Sequence, residues 1–551
     1  MTEAIPPRVR ALLVPIGLLA LAALLRLPNL AARGTWDGDQ GHDMLVLRAL
    51  VRDGVVPLLG PPTSIGDVHH GALYYYLLAP AAALTGGDSP LAVVLLIALV
   101  GIAAVGVTWW LAREIAGPIA GLVAGLAIAI SPAAVDESTF IWNPNLIALS
   151  SAVALAGAWR AWSTRRSLWW IVAAGGVAVT MQCHVLGITL LPIAGSLLVA
   201  DVRRRGPSER ASVIRIGFAG LGLIALTFLP LVVNELTTGF SEVQAALAYF
   251  RGGGEAPAQG PLARFFFIEA RVVSWPLVGL ILDGVTAAML SLVAVFAIAA
   301  WRSIAGRGDE RTVARWFGLG LLWTGFALTF ASPSLATVIR GLPNDHYHAF
   351  ADPMVFVLVG LGAAALWKAR RSDAGHPKGA VVAGDDAHPD AAEGGSALVT
   401  PQRLIATAGL VAMVAWAALH QPAAVHPDGG FPAAAAAADR IEAVAGTGPI
   451  RLLSIPDFKS VESYAYPLVR GGRTLERGPV ISEATLARDG DAAGEPETLV
   501  VICDSLFEVA IGATCGGAAE AGVVPAALGD PVDRFEAAPG RWISLYRGAG
   551  S

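Results

Sequence analysis

W-D-G-D-Q-G-H-D-M (Trp36–Met44) and H-H-G-A-L-Y-Y-Y (His69–Tyr76) follow directly on the first apolar run of the chain. Acids, histidines and aromatics are crowded there in a protein that is only 15% charged. Polar groups held beside hydrocarbon are expensive, so Asp37, Asp39, Asp43, His69 and His70 mark function rather than a solvated scatter of charge. The fold follows from what surrounds the stretch. Hydrophobic residues make up 55% of 551 and the mean hydropathy is +0.61, outside the range of soluble domains.

Runs of roughly 20 apolar residues cross a hydrocarbon core. The sequence predicts eleven, near 11–31, 90–112, 117–135, 144–162, 167–182, 185–201, 212–233, 276–301, 313–332, 349–368 and 403–420. Ala, Gly and Val dominate them, which suits close helix packing in lipid. The class is therefore an all-α polytopic membrane protein. The stretch 71–86 is also apolar, but a crossing there would invert every later loop, so it is expected as an interfacial or re-entrant helix within the first outward loop, 32–89.

Orientation comes from arginine, since the chain has only three lysines. Arg8 and Arg10, then Arg160, Arg165 and Arg166, then Arg203–Arg205, Arg210 and Arg215, then Arg302, Arg307, Arg311 and Arg315, then Lys368, Arg370, Arg371, Lys378 and Arg403 all fall on one side of this topology. The positive-inside rule makes that side cytoplasmic in an inner, plasma membrane. Residues 1–420 form the membrane domain, with 369–402 a disordered cytoplasmic linker loop. Residues 421–551 form a small extracytoplasmic α/β domain, with a helix over 431–445 and strands over 450–455, 498–503 and 542–546. Cys503 and Cys515 lie outside, where a disulfide and two thiols are both open; Cys183 reads as packing. Arg over Lys and abundant Ala and Gly point to a GC-rich bacterial genome. No basic patch for nucleic acid is present, and no phosphate-binding loop of the ATP-driven type.

The outward loops read together as one wet cavity. The first carries Asp37, Asp39, Asp43, His69 and His70. The second, S-P-A-A-V-D-E-S-T-F-I-W-N-P-N (131–145), carries Asp136, Glu137, Trp142, Asn143 and Asn145. A short turn holds Gln182 and His184, and R-G-L-P-N-D-H-Y-H-A-F-A-D-P-M (340–354) carries Arg340, Asp345, His346, Tyr347, His348 and Asp352.

L-R-L-P-N-L (25–30), D-G-D-Q-G-H-D (37–43) and H-H-G-A-L-Y-Y-Y-L-L-A (69–79) resemble the polytopic lipid-dependent glycosyltransferases of the GT-C class, and within it the family 39 branch of protein mannosyltransferases and aminoarabinose transferases. The resemblance covers about 30–370. Asp39-Gln40 stands where the family has an acidic pair. His70, Leu73, Tyr74 and Tyr75 match an H-P-P-L-Y-Y-like segment, with Gly71-Ala72 in place of the prolines. Ser131-Pro132 fits the second loop, where W-N-P-N replaces a common Asp. His346-Tyr347 and Pro353 stand near a family R-Y before a proline. The resemblance implies a membrane-embedded transferase, a polyprenyl-phosphate sugar as donor, and a protein, lipid or glycan acceptor.

The residue types suit that chemistry on their own terms. Transfer passes through an oxocarbenium-like centre, so a carboxylate must take the acceptor proton while donors stabilise the leaving phosphate. Asp39 suits the base, with Asp37 its nearest rival. His70, Arg340 and His346 suit phosphate contact. Asp43, His69 and Tyr347 complete a candidate substrate set. Trp36, Tyr74 and Tyr75 suit either sugar stacking or interfacial anchoring. Asp136 and Glu137 suit either acceptor binding or helix capping. No organic cofactor is implied; the D-x-D pattern leaves open a divalent cation at Asp37, Asp39 and the histidines. A secondary transporter or flippase is the alternative function, and a non-catalytic envelope-assembly factor a third. The transporter is disfavoured by polar groups that collect in outward loops rather than mid-span, and the assembly factor by the presence of Asp39, whose loss would be its signature. Of the few charges placed within spans, Arg26 is expected to be a snorkelling anchor and Asp283 a mid-helix charge.

Overall fold

The computed structural model describes residues 7–63, 68–251, 259–338, 344–368, 400–456, 461–476, 498–511 and 513–548. The linker expected at 369–402 lies outside them except for its last three residues.

A backbone in lipid must satisfy its own polar groups, and the apolar runs accordingly form helices. They are α1 (Pro7–Arg26), α2 (Gly38–Arg48), α3 (Leu73–Ala83), α4 (Pro90–Ala116), α5 (Pro118–Ile130), α6 (Ile147–Thr164), α7 (Trp169–Cys183), α8 (Leu190–Arg204), α9 (Pro207–Thr227), α10 (Pro261–Val278), α11 (Val285–Ala305), α12 (Gly308–Ala331), α13 (Asp352–Lys368) and α14 (Pro401–Leu419). Proline opens α4, α5, α9, α10 and α14, where its missing N–H costs nothing. Among the described residues eight helices are long and apolar enough to cross a membrane, and three apolar helices are shorter: Leu12–Arg26, Pro118–Ile130 and Trp169–Cys183. Side chains such as Leu221, Leu290, Leu319 and Ile405 are exposed on this bundle, as lipid-facing positions require. The chain is an integral multi-pass membrane protein.

Three expectations are corrected. The span placed at 276–301 straddles a break: α10 ends at Val278, a turn holds Asp283, and α11 begins at Val285. Gly279, at φ +79°, ends α10, and Asp283 therefore lies between helices rather than within one. The sequence reading missed α10 because its inner face carries Arg264, Glu269 and Arg271, all buried, which lowers its hydropathy. Arg26 is not a snorkelling anchor. It is fully buried, and its guanidinium donates to the carbonyls of Ile128, Ala129 and Ala134 and to Ser138 Oγ. The Ile128 and Ala129 carbonyls lie in the last turn of α5, where a helix leaves acceptors unmet, and a five-donor cation meets several at once.

The stretch 71–86 holds α3, whose 11 residues span about 16 Å, half a hydrocarbon core. Its Tyr74, Tyr75, Leu78 and Ala82 are buried in the main core.

The C-terminal unit has α15 (Gly430–Ala445) and α16 (Glu462–Arg470) on a four-stranded sheet. After the short antiparallel pair β1 (Leu59–Pro62) and β2 (His69–Gly71) of the first loop, its strands are β3 (Ile450–Ile455), β4 (Thr498–Asp504), β5 (Asp533–Ala538) and β6 (Arg541–Arg547). The order is β3-β4-β6-β5, with β3 and β4 parallel and the other pairs antiparallel. Strand alternation splits the core in two. Val500, Ile502, Ile543 and Leu545 join the cluster that contains Ala437 and Ile441 of α15, whereas Leu499, Val501 and Cys503 join Leu528 and Tyr546 on the other face. Cys503 and Cys515 are bridged, with Cα atoms 5.6 Å apart, and Cys183 is a buried free thiol.

This unit docks on the first loop. Trp36 Nε1 donates to the Ser463 carbonyl at 2.8 Å, and the Trp36 ring packs on Phe431 and Tyr466. Asp428 accepts from Thr35 Oγ1 and from the backbone N–H of Trp36. α2 and α16 touch so closely that a Cβ at Gly41 would sit 2.0 Å from the Glu462 carbonyl oxygen. Backbone cannot swing aside as a side chain does, so Gly41→Ala is expected to cost ~1–3 kcal/mol as overpacking does. Limited proteolysis near 420–430 should then cut faster than in the parent; an unchanged rate would mean that the docked contact is dispensable.

Candidate active site

Asp37 starts α2. Its carboxylate accepts from the Gly38 N–H at 2.8 Å while Gln40 Oε1 accepts from the Asp37 N–H at 2.7 Å, a reciprocal cap. Helical spacing then puts Asp39, His42 and Asp43 on one face, at i, i+3 and i+4. That face forms part of a cavity of about 620 Å³. Asp37, Asp39 and Asp43 from the first loop, His70 from β2, Trp142 and Asn143 from the second loop, His184 from the short turn, and His346 and Tyr347 from the last loop all line it. Four separate loops thus converge.

The walls are held by specific bonds. Gln40 Nε2 donates to the Ile141 carbonyl, and Asn143 Nδ2 to that of Cys183, tying loop to loop. Arg271 clamps Asp345 with Nε at 2.8 Å and Nη2 at 2.5 Å, and donates to the carbonyls of Leu335 and Thr337. His348 makes the third contact to Asp345, at 3.2 Å. That buried network fixes the 3-10 turn Asp345–Ala351, which carries His346 and Tyr347.

Ring contacts line the cavity floor. His70 and His184 are 4.9 Å apart, His184 and His346 5.6 Å, and Trp142 and His346 4.0 Å. Burial, then the neighbouring His184, pushes His70 well below its ordinary pKa; burial, then His346, does the same to His184. Both are neutral at pH 7 and each offers one donor and one acceptor. His70 Nδ1 is buried with no hydrogen-bond partner among the described residues. Asp43 is fully enclosed and accepts from Tyr74 and Tyr75 hydroxyls at 2.6 and 2.9 Å. Burial raises its pKa to about 7. The two tyrosines therefore stand behind the wall, holding Asp43, rather than facing a sugar. Asp39, in the first turn of α2, is the exposed carboxylate of this face.

The other candidates lie elsewhere. His69 is bound through its backbone N–H and Nδ1 to Glu242, at 2.7 and 2.8 Å. Glu137 accepts from Trp275 Nε1, and burial, then Asp136, raises it to about 8. Asp136 is raised by burial and is tempered by His426 and Arg33. Neither lines the cavity. Arg340 falls outside the described residues. Trp36 is buried under the C-terminal unit, which leaves Trp142 as the cavity's indole. Among the described residues no three His, Cys, Asp or Glu side chains converge as cation ligands. Asp37 is engaged by its cap and by Arg541.

Sequence reading missed His42, whose i+3 spacing from Asp39 was the available signal, and Glu462 and Phe507 of the C-terminal unit, which gave none. His42 Nδ1 and Glu462 are 3.0 Å apart. Burial alone would lower His42, but Glu462, helped by Asp43 and Asp39, raises it to about 9 from 6.5. A raised histidine contributes stability that is complete below its unfolded pKa and lost as pH rises through the folded one. Thermal melts should therefore decline between about pH 6.5 and 9, and His42→Gln should flatten that decline. Parallel curves for the two proteins would contradict the pairing.

Dolichyl-phosphate-mannose-protein mannosyltransferase is the family whose description matches, over residues 69–233. No curated protein matches the chain. ArnT from Cupriavidus metallidurans in the apo state superposes with a TM-score of 0.54 at 14% identity, over 98% of each chain. The same protein bound to undecaprenyl phosphate gives 0.50 at 15% identity, again over 98% of each. The chain has the GT-C fold. An Archaeoglobus fulgidus oligosaccharyltransferase tethered to an acceptor peptide gives 0.51 at 14% identity, over 91% of this chain and 70% of that one. The resemblance read from the sequence is met by both kinds of comparison.

Proposed function

We propose that this chain is a membrane glycosyltransferase that moves a sugar from a polyprenyl-phosphate donor to an extracytoplasmic acceptor, with inversion. The observation that carries the reading is the cavity itself. It brings one exposed carboxylate, Asp39, together with neutral imidazoles and an indole, on a fold that in ArnT is bound to undecaprenyl phosphate. Cavity and C-terminal unit face outside, on the warrant of the arginine-rich loops.

In this mechanism the acceptor hydroxyl oxygen attacks the anomeric carbon and its proton passes to Asp39. The bond from that carbon to the phosphate oxygen breaks, and polyprenyl phosphate leaves with the electron pair. His70 and His346 donate to the leaving phosphate, and the unmet His70 Nδ1 is completed by the donor or its water. Trp142 stacks on the sugar. No step is assigned to a cation. Purified protein in lipid nanodiscs, given a polyprenyl-phosphate sugar and a mixture of envelope acceptors, should release polyprenyl phosphate in step with glycosylated product. Donor movement across the bilayer without bond cleavage would instead establish the transporter reading.

A further inference from the structure

The C-terminal unit reaches into this cavity through one cation. Arg541 opens β6, directly across from Asp504 of β4 in the sheet register. The turn before it is fixed by the Ser505 N–H donating to the Gly540 carbonyl at 2.8 Å. From that base the Arg541 guanidinium lies 3.3 Å from Asp504 and 3.0 Å from Asp37, the residue that caps α2. Its side chain is only 13% exposed, so water screens these contacts weakly. A single nitrogen, Nη2, therefore bridges Asp504 of the sheet and Asp37 at the first turn of α2, two residues from Asp39.

We propose that Arg541 is a positioning residue for the transfer reaction: by clamping the Asp37 cap it fixes the first turn of α2 and the direction of the Asp39 carboxylate. This inference rests on the proposed role of Asp39. The first N–H groups of a helix have no acceptor within the helix, and the turn frays when its cap is loose. The cap here is held from outside the helix, by a strand more than 500 residues away in sequence. The C-terminal unit is then part of the active site's frame.

The test is steady-state kinetics of the full-length protein in nanodiscs, with a polyprenyl-phosphate sugar as donor. Misplacement of a reacting group by about 1 Å costs up to ~10²-fold, so Arg541→Gln should lower kcat ~10- to 100-fold while KM for the donor stays within about threefold. Arg541→Lys keeps the charge without the fork and should recover most of the loss. If Arg541 acts through Asp37, the two effects will not multiply: in an Asp37→Asn background, Arg541→Gln should cost less than about threefold more. Unchanged kcat in Arg541→Gln, or full multiplication of the two losses, overturns the inference. So does a loss that Lys does not relieve and that tracks the melting temperature. Asp39→Asn run in parallel separates the two levels. If it is inactive while Arg541→Gln is normal, only the positioning role falls. If it keeps full turnover, the base assignment falls, and the positioning role with it.

Discussion

Asp39→Asn is expected to lose ~10²–10⁴-fold in turnover, the usual contribution of a general base, while still binding the lipid donor. The substitution keeps size and hydrogen bonding but removes the basic oxygen. Of Asp37, Asp39 and Asp43, only Asp39 is exposed. Asp37 caps α2 and pairs with Arg541, and Asp43 is buried in the cavity wall, held by two tyrosine hydroxyls. Asp43→Asn should therefore act through stability more than through chemistry. Turnover and donor binding, measured side by side, check this. Near-full turnover in Asp39→Asn with an inactive Asp37→Asn would move the base to Asp37. Full turnover in all three variants would remove the enzyme reading and favour transport.

Arg271→Ala should be the most damaging change to the fold. Arg271 and Asp345 are 1% and 2% exposed and bonded through two nitrogens and both carboxylate oxygens. Removing one partner of such a pair leaves the other buried and uncompensated, at ~3–5 kcal/mol. Three backbone and side-chain acceptors, on Leu335, Thr337 and Asn344, also lose their donor. The turn that presents His346 and Tyr347 loosens with them, so activity falls together with stability. Replacing both partners, as Arg271→Met with Asp345→Leu, should be less destabilising than Arg271→Ala alone. Melting temperatures of the single and double variants decide the point: a double variant worse than the single would show that the pair does not carry the turn.

The fold was legible because hydrocarbon demands long apolar runs, and each of the eleven expected spans falls on a helix or overlaps one. What failed was α10, where Arg264, Glu269 and Arg271 on a buried face break the apolar pattern that the reading relies on. Arg26 failed for a related reason. A lone arginine near a span end looks like a snorkelling anchor, and nothing in the sequence shows that carbonyls ending another helix need donors. In the C-terminal unit, strand alternation and a helix of alanines gave α15, β3, β4 and β6 nearly to the residue, whereas β5 and α16 were missed. The site was half legible. Loop membership brought Asp37, Asp39, Asp43, His70, His346 and Tyr347 to one cavity, because loops on one face of a bundle must converge. Its limits were contacts distant in sequence: Tyr74 and Tyr75 holding Asp43, Glu242 holding His69, and Glu462, Phe507 and Arg541 arriving from the far end of the chain.

A density map of the Asp39→Asn variant loaded with a polyprenyl-phosphate sugar tests the account most directly. The account predicts the sugar ring inside the 620 Å³ cavity against Trp142, its anomeric carbon facing position 39 and its phosphate between His70 and His346. A headgroup seated elsewhere, for instance in the apolar groove between α7, α8 and α9, would contradict it.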